Sequence, residues 1–357
     1  MAFANLFLLL LLLPVLLSVL SIEYSAAQTF NCSAPSSCRA LVGYITANNT
    51  NIGVIQSLFN VKNLRSLLGA NNLPPSTRRN YSIAAQQVIK VPINCVCDNH
   101  TGTSNGAPIY MVQPGDGLYH IAADVFSRLL TYPQIVAANS IKNANVINVG
   151  DKLKIPLPCS CDEVDGQEVV HYAHMVKSGS SLEEIAQEFG TDEETLARIN
   201  GIKADKDLIA DQPIDVPLKA CKSSIISESS DFPLLAANGT YVFTANGCVR
   251  CMCDAANNWT LRCEPSQNKP SKWDKCPSME CEGSQGLSIG NTTASGCNQT
   301  TCSYTGFNSS AIFATLVHDS SSCSTLSPSN GVSRINLNWG NWGSLIILVM
   351  HFFSQMQ

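Results

Sequence analysis

Three times along this chain an apolar helix end closes on Asn and is followed by a short strand of the form apolar-x-apolar-Pro-apolar. The copies are Leu68-Gly69-Ala70-Asn71 with Val88-Ile89-Lys90-Val91-Pro92-Ile93, Val136-Ala137-Ala138-Asn139 with Leu153-Lys154-Ile155-Pro156-Leu157, and Leu196-Ala197-Arg198-Ile199-Asn200 with Ile214-Asp215-Val216-Pro217-Leu218. The first two run into Cys95-x-Cys97 and Cys159-x-Cys161. Units this short bury little apolar surface alone, so they need neighbours and cross-links to stay folded. Tandem small units suit a binding protein better than an enzyme with one enclosed reaction chamber.

Each copy reads strand, helix, helix, strand, which makes the fold class α+β. In the second copy Ile109-Tyr110-Met111-Val112 stops at Pro114-Gly115-Asp116-Gly117, and Leu118, Ile121, Ala122 and Val125 then recur at helical spacing. The third repeats the stripe with Leu182, Ile185, Ala186 and Phe189, and Ser181 with Glu184 forms a capping-box pattern at its start. The first keeps Ile52, Ile55 and Phe59 but interrupts them with Gln56, and its loop from Thr46 to Asn51 lacks the Gly-Asp element. Asn71, Asn139 and Asn200 are expected in the left-handed conformation that stops a helix. Proline inside the last strand of each copy demands an edge, so each copy is expected to own a sheet of only two strands. The modules are placed at 39–94, 108–158 and 170–218. A small cysteine-rich region, mostly β or irregular, follows at 221–325, with a short hairpin expected around Tyr241-Val242-Phe243.

The chain carries 16 cysteines, all beyond a leucine-rich leader that ends at Ser25-Ala26-Ala27. An even cysteine count behind a signal peptide at 1–27 indicates an oxidised, extracellular framework. Zinc ligation is the weaker reading of Cys-x-Cys, because metal spacings usually leave two residues between ligands and bring His along. No metal or cofactor is expected. Glycosylation sequons stand at Asn48, Asn80, Asn99, Asn238, Asn258, Asn291, Asn298 and Asn308, with a poorer one at Asn31 whose middle residue is Cys32. At the far end, small residues including Ser329 and Asn330, a polar spacer, and the apolar run Leu345–Phe353 match a glycosylphosphatidylinositol attachment signal. Its propeptide is placed at 331–357, with Asn330 or Ser329 carrying the lipid. The protein is therefore expected on the outer face of the plasma membrane, or secreted free of it if the signal is unused. A formal net charge of -5 argues against nucleic acid as a partner.

Catalytic signatures are weak. Glu183, Glu184, Glu188, Asp192, Glu193 and Glu194 fall on the polar sides and starts of helices, where a solvated face explains them better than paired glycosidase carboxylates. His171 and His174 sit on a strand with no nucleophile motif nearby. The chain is read as a non-enzyme.

The strand, Gly-Asp loop, Ala-Asn helix end, Ile-Pro strand and Cys-x-Cys together resemble the plant LysM-domain GPI-anchored proteins, the chitin elicitor-binding family. The most specific parts are Val112-Gln113-Pro114-Gly115-Asp116-Gly117-Leu118 and Ile155-Pro156-Leu157-Pro158-Cys159-Ser160-Cys161. The first copy is degenerate by this standard. The resemblance implies three packed βααβ modules and the pairings Cys32–Cys97, Cys38–Cys161 and Cys95–Cys159, a choice that spacing leaves open among fifteen. It also implies a shallow groove for N-acetylglucosamine oligomers. Mapped onto the second module, one wall is Asp116, Gly117, Leu118, Tyr119, His120, Ile121 and Ala122, and the other is Asn145, Val146, Ile147, Asn148, Val149, Gly150 and Asp151.

Chitin is uncharged, so such a groove needs backbone N–H groups for acetamide oxygens and an apolar floor for N-acetyl methyls. Ile147 with Val146 is read as that floor, each methyl contributing about 0.8 kcal/mol. Core packing is the competing role for Ile147 and Val149, and the stronger one for the side chains of Leu118, Ile121 and Ala122. In the third module Leu208 takes the place of Ile147 but stands among Asp205, Lys206, Asp207 and Asp211, charges costly to desolvate against a neutral sugar. The first offers Ile83 beside sequons at Asn48 and Asn80. The implied function is a surface receptor or co-receptor for chitin oligosaccharides in plant innate immunity. It would act with a LysM receptor kinase, and one long oligomer would bridge two copies into a homodimer. Peptidoglycan or lipochitooligosaccharide recognition, or a wall-associated role without signalling, are the alternatives.

Overall fold

The structure is a computed structural model that describes residues 29–33, 36–106, 108–284, 286–296 and 298–319. The leader, the lipidation residues Ser329 and Asn330, the propeptide and two of the cysteines, Cys297 and Cys323, lie outside the described residues. Contacts divide the chain into a main unit, which holds the described residues up to Thr293 and Thr300–His318, and a small second one. Every element named below lies in the main unit.

The first module runs β2 (Ser36–Ile45), β3 (Thr50–Asn51), α1 (Ile52–Leu58), α2 (Leu64–Ala70), β4 (Ser82–Ile83) and β5 (Val88–Asp98). β1 (Phe30–Asn31) precedes it, and β6 (Thr101–Ser104) links it to the middle module. That module has β7 (Ile109–Met111), one α turn (Leu118–His120) running into a π turn (Ile121–Val125), here together α3, then α4 (Tyr132–Ala138) and β8 (Lys152–Lys154). The third has β9 (Val169–Met175), α5 (Leu182–Phe189), α6 (Glu193–Ile199) and β10 (Pro213–Cys221).

The expectation of a private two-stranded sheet in every module holds only for the middle one, where β7 pairs with β8 alone. The outer two are fused in a seven-stranded sheet ordered β1-β6-β5-β2-β9-β10-β11, with β11 at Ala236–Ala237. Its seam is a short parallel pairing of Leu41 with Tyr172 and Val42 with Ala173. Gly43 permits that seam, since a Cβ there would stand 2.4 Å from the Tyr172 hydroxyl and 3.2 Å from the Ala173 carbonyl. The proline argument fails as a count of strands but survives locally. β6 covers β5 only from Cys95 onward, and β11 meets β10 only at Ala220–Cys221. Pro92 and Pro217 therefore face a neighbouring strand on one side only, and their missing N–H breaks no ladder.

The helix ends also differ from expectation. Asn71, Asn139 and Asn200 have φ of -110°, -113° and -95°, and the left-handed residue is the next one, Asn72, Ser140 or Gly201. Each Asn instead uses its whole amide as a clamp. Asn71 Nδ2 donates to the Leu67 and Lys90 carbonyls while its Oδ1 accepts from Lys90 N–H, all within 2.9 Å. Asn139 does the same between Ile135 and Lys154, and Asn200 between Leu196 and Asp215. Only an amide offers a donor and an acceptor at once, so the recurring Asn ties each second helix to the module's last strand.

Module one and the middle module share a core in which Tyr44, Phe59, Phe126 and Tyr110 follow one another edge-to-face at 5.1, 5.6 and 5.8 Å. Disulfides Cys32–Cys97, Cys38–Cys161 and Cys95–Cys159 pin the N-terminal segment, β5 and the chain after β8 together. Closing loops of 64 or more residues, each contributes about 4 kcal/mol in the chain-entropy view. The module most weakly joined by sheet is thus the one most strongly joined by sulfur.

In the cysteine-rich region β12 (Tyr241–Thr244), β13 (Val249–Met252) and β14 (Arg262–Pro265) form an antiparallel sheet. It is held by Cys221–Cys253, Cys248–Cys276 and Cys251–Cys263, with Cys281–Cys302 further on. It packs on α2: the Tyr241 hydroxyl donates to the Leu73 carbonyl at 2.5 Å, and a Cβ on Gly69 would collide with the Tyr241 carbonyl.

Candidate saccharide groove

In all three modules the loop after the first strand is tied to the loop before the last by a reciprocal backbone pair. The pairs join Thr46 with Gln86 and Gln87, Val112 with Gly150 and Asp151, and Val176 with Asp211 and Gln212, at 2.7–3.1 Å. In the middle module both loops are also closed internally by aspartate. Asp116 accepts from Gln113 N–H at 2.7 Å and Asp151 from Asn148 N–H at 2.8 Å, each loop turning through a glycine, Gly115 or Gly150, at φ near 90°. Asp116 also accepts from the Tyr110 hydroxyl at 2.9 Å. Burial, then the hydrogen bond and charge of Asp116, push that phenol up to about 12. The two aspartates assigned to the groove therefore build its loops.

Leu118, Ile121 and Ala122 are buried in the shared core, which takes their side chains out of the groove and leaves only their main chain to it. Ile147 is half-buried and packs against the same core. Val149 is 64% exposed, so the alternative core role does not fit it, and Val146 and Tyr119 are 61% and 66% exposed. Asn145, Asn148, Gly117 and Gly150 are exposed as well. His120 bonds the exposed Asp124 at 2.8 Å, with the enclosed Asp116 carboxylate 3.6 Å away.

The first helical turn separates the three copies. Asn51 accepts from Val54 N–H in the first module and Ser181 from Glu184 N–H in the third, where Glu184 completes the capping box. Gly117 holds that position in the middle module and has no side chain to cap with. The amides at the start of α3 are left for another acceptor, beside exposed valines. In the third module Leu208 packs inward, Asp205 accepts from Leu182 N–H, and Asp211 pairs with Arg128 at 3.0 Å. Asn48 and Asn80 flank the first module's groove and are exposed, as are all the other sequon asparagines.

Sequence reasoning set His171 aside, and the structure gives it a role. His171 Nδ1 lies 2.8 Å from Asp215 and Nε2 2.7 Å from the Asp162 carbonyl. Burial opposes its charge, but Asp215 and these hydrogen bonds outweigh burial and raise its pKa. The pair locks β9 to β10 and to the segment leaving the middle module. A His and an Asp diagonal to each other on paired strands, His171 standing opposite Pro217 and Asp215 opposite Ala173, was the signal, but it needs the register to be seen.

The LysM domain model matches residues 110–156 and 174–217, the middle and third modules. LysM domain-containing GPI-anchored protein 2 of Arabidopsis thaliana is 49% identical over 87% of both chains. The chain belongs to the LysM domain-containing GPI-anchored proteins. The chitin elicitor-binding protein of Oryza sativa subsp. japonica is 38% identical to this LysM protein over 90% of both. The crystal structure of a receptor-like kinase ectodomain, 22% identical, covers 52% of this LysM protein and 92% of its own chain at a TM-score of 0.42. Among the described residues no helix is long and apolar enough to cross a membrane.

Proposed function

We propose that this LysM protein is a surface receptor or co-receptor that binds N-acetylglucosamine oligomers in the middle module, held to the outer leaflet by a GPI anchor. The observation that carries the reading is the difference among the three grooves. Only the middle one combines an uncapped first turn at Gly117 with exposed Val146, Val149 and Tyr119 across tied loops. Acetamide oxygens accept from the freed amides, and acetyl methyls lie on Val146, Ile147 and Val149. No charge has to be stripped of water, as it would be beside Asp205 and Asp207. The protein acts by binding and not by turnover. With no enclosed site, affinity grows with oligomer length as neighbouring subsites fill. Its place in innate immunity follows from partnership with a LysM receptor kinase, brought close when one oligomer spans two molecules.

Titration calorimetry of the secreted protein with chitin oligomers, and in parallel with peptidoglycan fragments, tests this. Heat is expected from the longer chitin oligomers. Val149→Ala and Ile147→Ala should each weaken binding by about fourfold to fifteenfold, the transfer free energy of one or two methyls, while Leu208→Ala leaves it unchanged. If Leu208→Ala abolishes binding and Val149→Ala does not, the site belongs to the third module.

A further inference from the structure

Away from the middle module, a cavity of about 400 Å³ opens where α2 and β5 of the first module, β9 and α5 of the third, and the turn at Gly239–Thr240 converge. One wall is aromatic: Tyr172, His174 and Phe189 stand 5.0–5.9 Å apart, ring to ring. Two of these carry unused polar atoms. Tyr172 and His174 are 1% and 5% exposed, and among the described residues neither side chain makes a hydrogen bond. Among the described residues the sole fully enclosed side-chain polar atom without a partner is Gln56 Oε1, in the first module. The Tyr172 hydroxyl and His174 nitrogens therefore border open space, and the cavity is the space these residues line. Burial, then Lys177, lowers His174 to about 4, so at higher pH it is a neutral ring with one donor and one acceptor.

The rim supplies charge. Lys90, Lys177 and Glu188 all line the cavity, a surplus of one positive charge. Lys90 is held below the usual lysine range by burial, against the raising effect of Glu188, and its ammonium lies 5.7 Å from the Tyr172 ring centroid. An incompletely neutralised, half-buried ammonium beside two unpartnered polar groups is costly when empty and is relieved by an anion that also carries hydroxyls. A purely apolar acid would leave Tyr172 and His174 unpaired. A neutral sugar would leave the ammonium surplus. The size is at the small end of ligand sites.

We propose that this cavity binds a short acidic saccharide, one or two rings bearing a uronic-acid carboxylate, with the sugar face on Phe189, its hydroxyls toward Tyr172 and His174, and the carboxylate between Lys90 and Lys177. It is a second specificity, separate from the groove of the middle module.

Saturation-transfer NMR and calorimetry on the full glycosylated chain with digalacturonate test it, with N,N′-diacetylchitobiose and benzoate as neutral and apolar-acid controls. Digalacturonate is expected to bind, with saturation strongest on its ring protons, and to weaken with salt. Lys177→Ala, at an exposed position, should cost about tenfold, the worth of one charge-assisted contact, and Lys90→Ala a similar amount. Phe189→Ala should reduce the ring-proton signal. Titration with long chitin oligomers should be unaffected by Lys177→Ala, so loss of one activity is distinguishable from loss of the other. Absence of digalacturonate binding, equal binding of diacetylchitobiose or benzoate, or indifference to both lysine substitutions would overturn the proposal.

Discussion

The outer modules and the middle one repeat one βααβ pattern, yet they are held in place by different forces. The first and third join through hydrogen-bonded strands, Leu41 and Val42 against Tyr172 and Ala173, and their helix starts are capped by Asn51 and Ser181. The middle module keeps a sheet of two strands of three residues each, begins its first helix with an uncapped glycine, and continues through a π turn. What fixes it is an aromatic seam to the first module and the two bridges that end at Cys159 and Cys161. Backbone groups used to build a shared framework are unavailable to a ligand. A module anchored instead by side chains and sulfur leaves the amides of its first helical turn uncapped, which is the difference the proposed saccharide site rests on.

That contrast can be broken most directly at the sulfur. Cys95→Ser with Cys159→Ser should lower unfolding free energy by about 4 kcal/mol. Hydrogen exchange should show the middle module opening before the seven-stranded sheet. Simultaneous opening of all three modules would mean the sheet, not the bridge, governs them.

The asparagine clamps sharpen it. Asn71→Ala and Asn200→Ala leave part-buried carbonyls and amides of Lys90 and Asp215 without partners and should each cost about 2–3 kcal/mol in denaturant titrations. Asn139→Ala faces Lys154 on an exposed strand, where water replaces the lost partner, and should cost about 1 kcal/mol. Equal losses at all three would erase the distinction.

The third module carries a buried His–Asp lock. His171 titrates above its ordinary 6.5 when folded, so its stabilisation is complete below about that pH and is lost as pH rises through the folded value. His174, lowered to about 4, acts the other way, its contribution being full above 6.5 and lost as pH falls toward 4. Melting temperature is therefore expected to fall on the alkaline side in a manner that Asp215→Asn flattens, and on the acid side in a manner it does not. A slope unchanged by Asp215→Asn would dismiss the lock. The smallest effect belongs to the groove: Val146→Ser should leave melting unchanged within about 0.5 kcal/mol, because the side chain is exposed, while still weakening chitin binding.

Local patterns carried much of the architecture. The apolar stripe Leu182, Ile185, Ala186 falls on buried positions of α5, and Ser181 with Glu184 caps it as the spacing suggests. Gln56, which interrupts the first module's stripe, is buried nonetheless, its Nε2 donating to the Val61 carbonyl at 2.9 Å. Hydropathy could not anticipate that. The repeated Asn was legible as a helix end, but its clamp onto the last strand was not, since that contact spans 15 to 19 residues and exists only once the strand has returned.

Sequence by itself determined the three-fold βααβ repeat, the chain's oxidised cysteine framework and the loops at 113–117 and 145–151, because capping, turn chemistry and hydrophobic period act over a few residues. Only the tertiary structure decided that the first and third modules share one sheet, that His171 meets Asp215, and that Tyr172 and His174 line a cavity between modules. Those outcomes depend on which strand edges and faces are brought together, across 44 residues for His171 and Asp215 and more than a hundred for the seam, and edge hydrogen bonds carry no side-chain signature in the residues that make them.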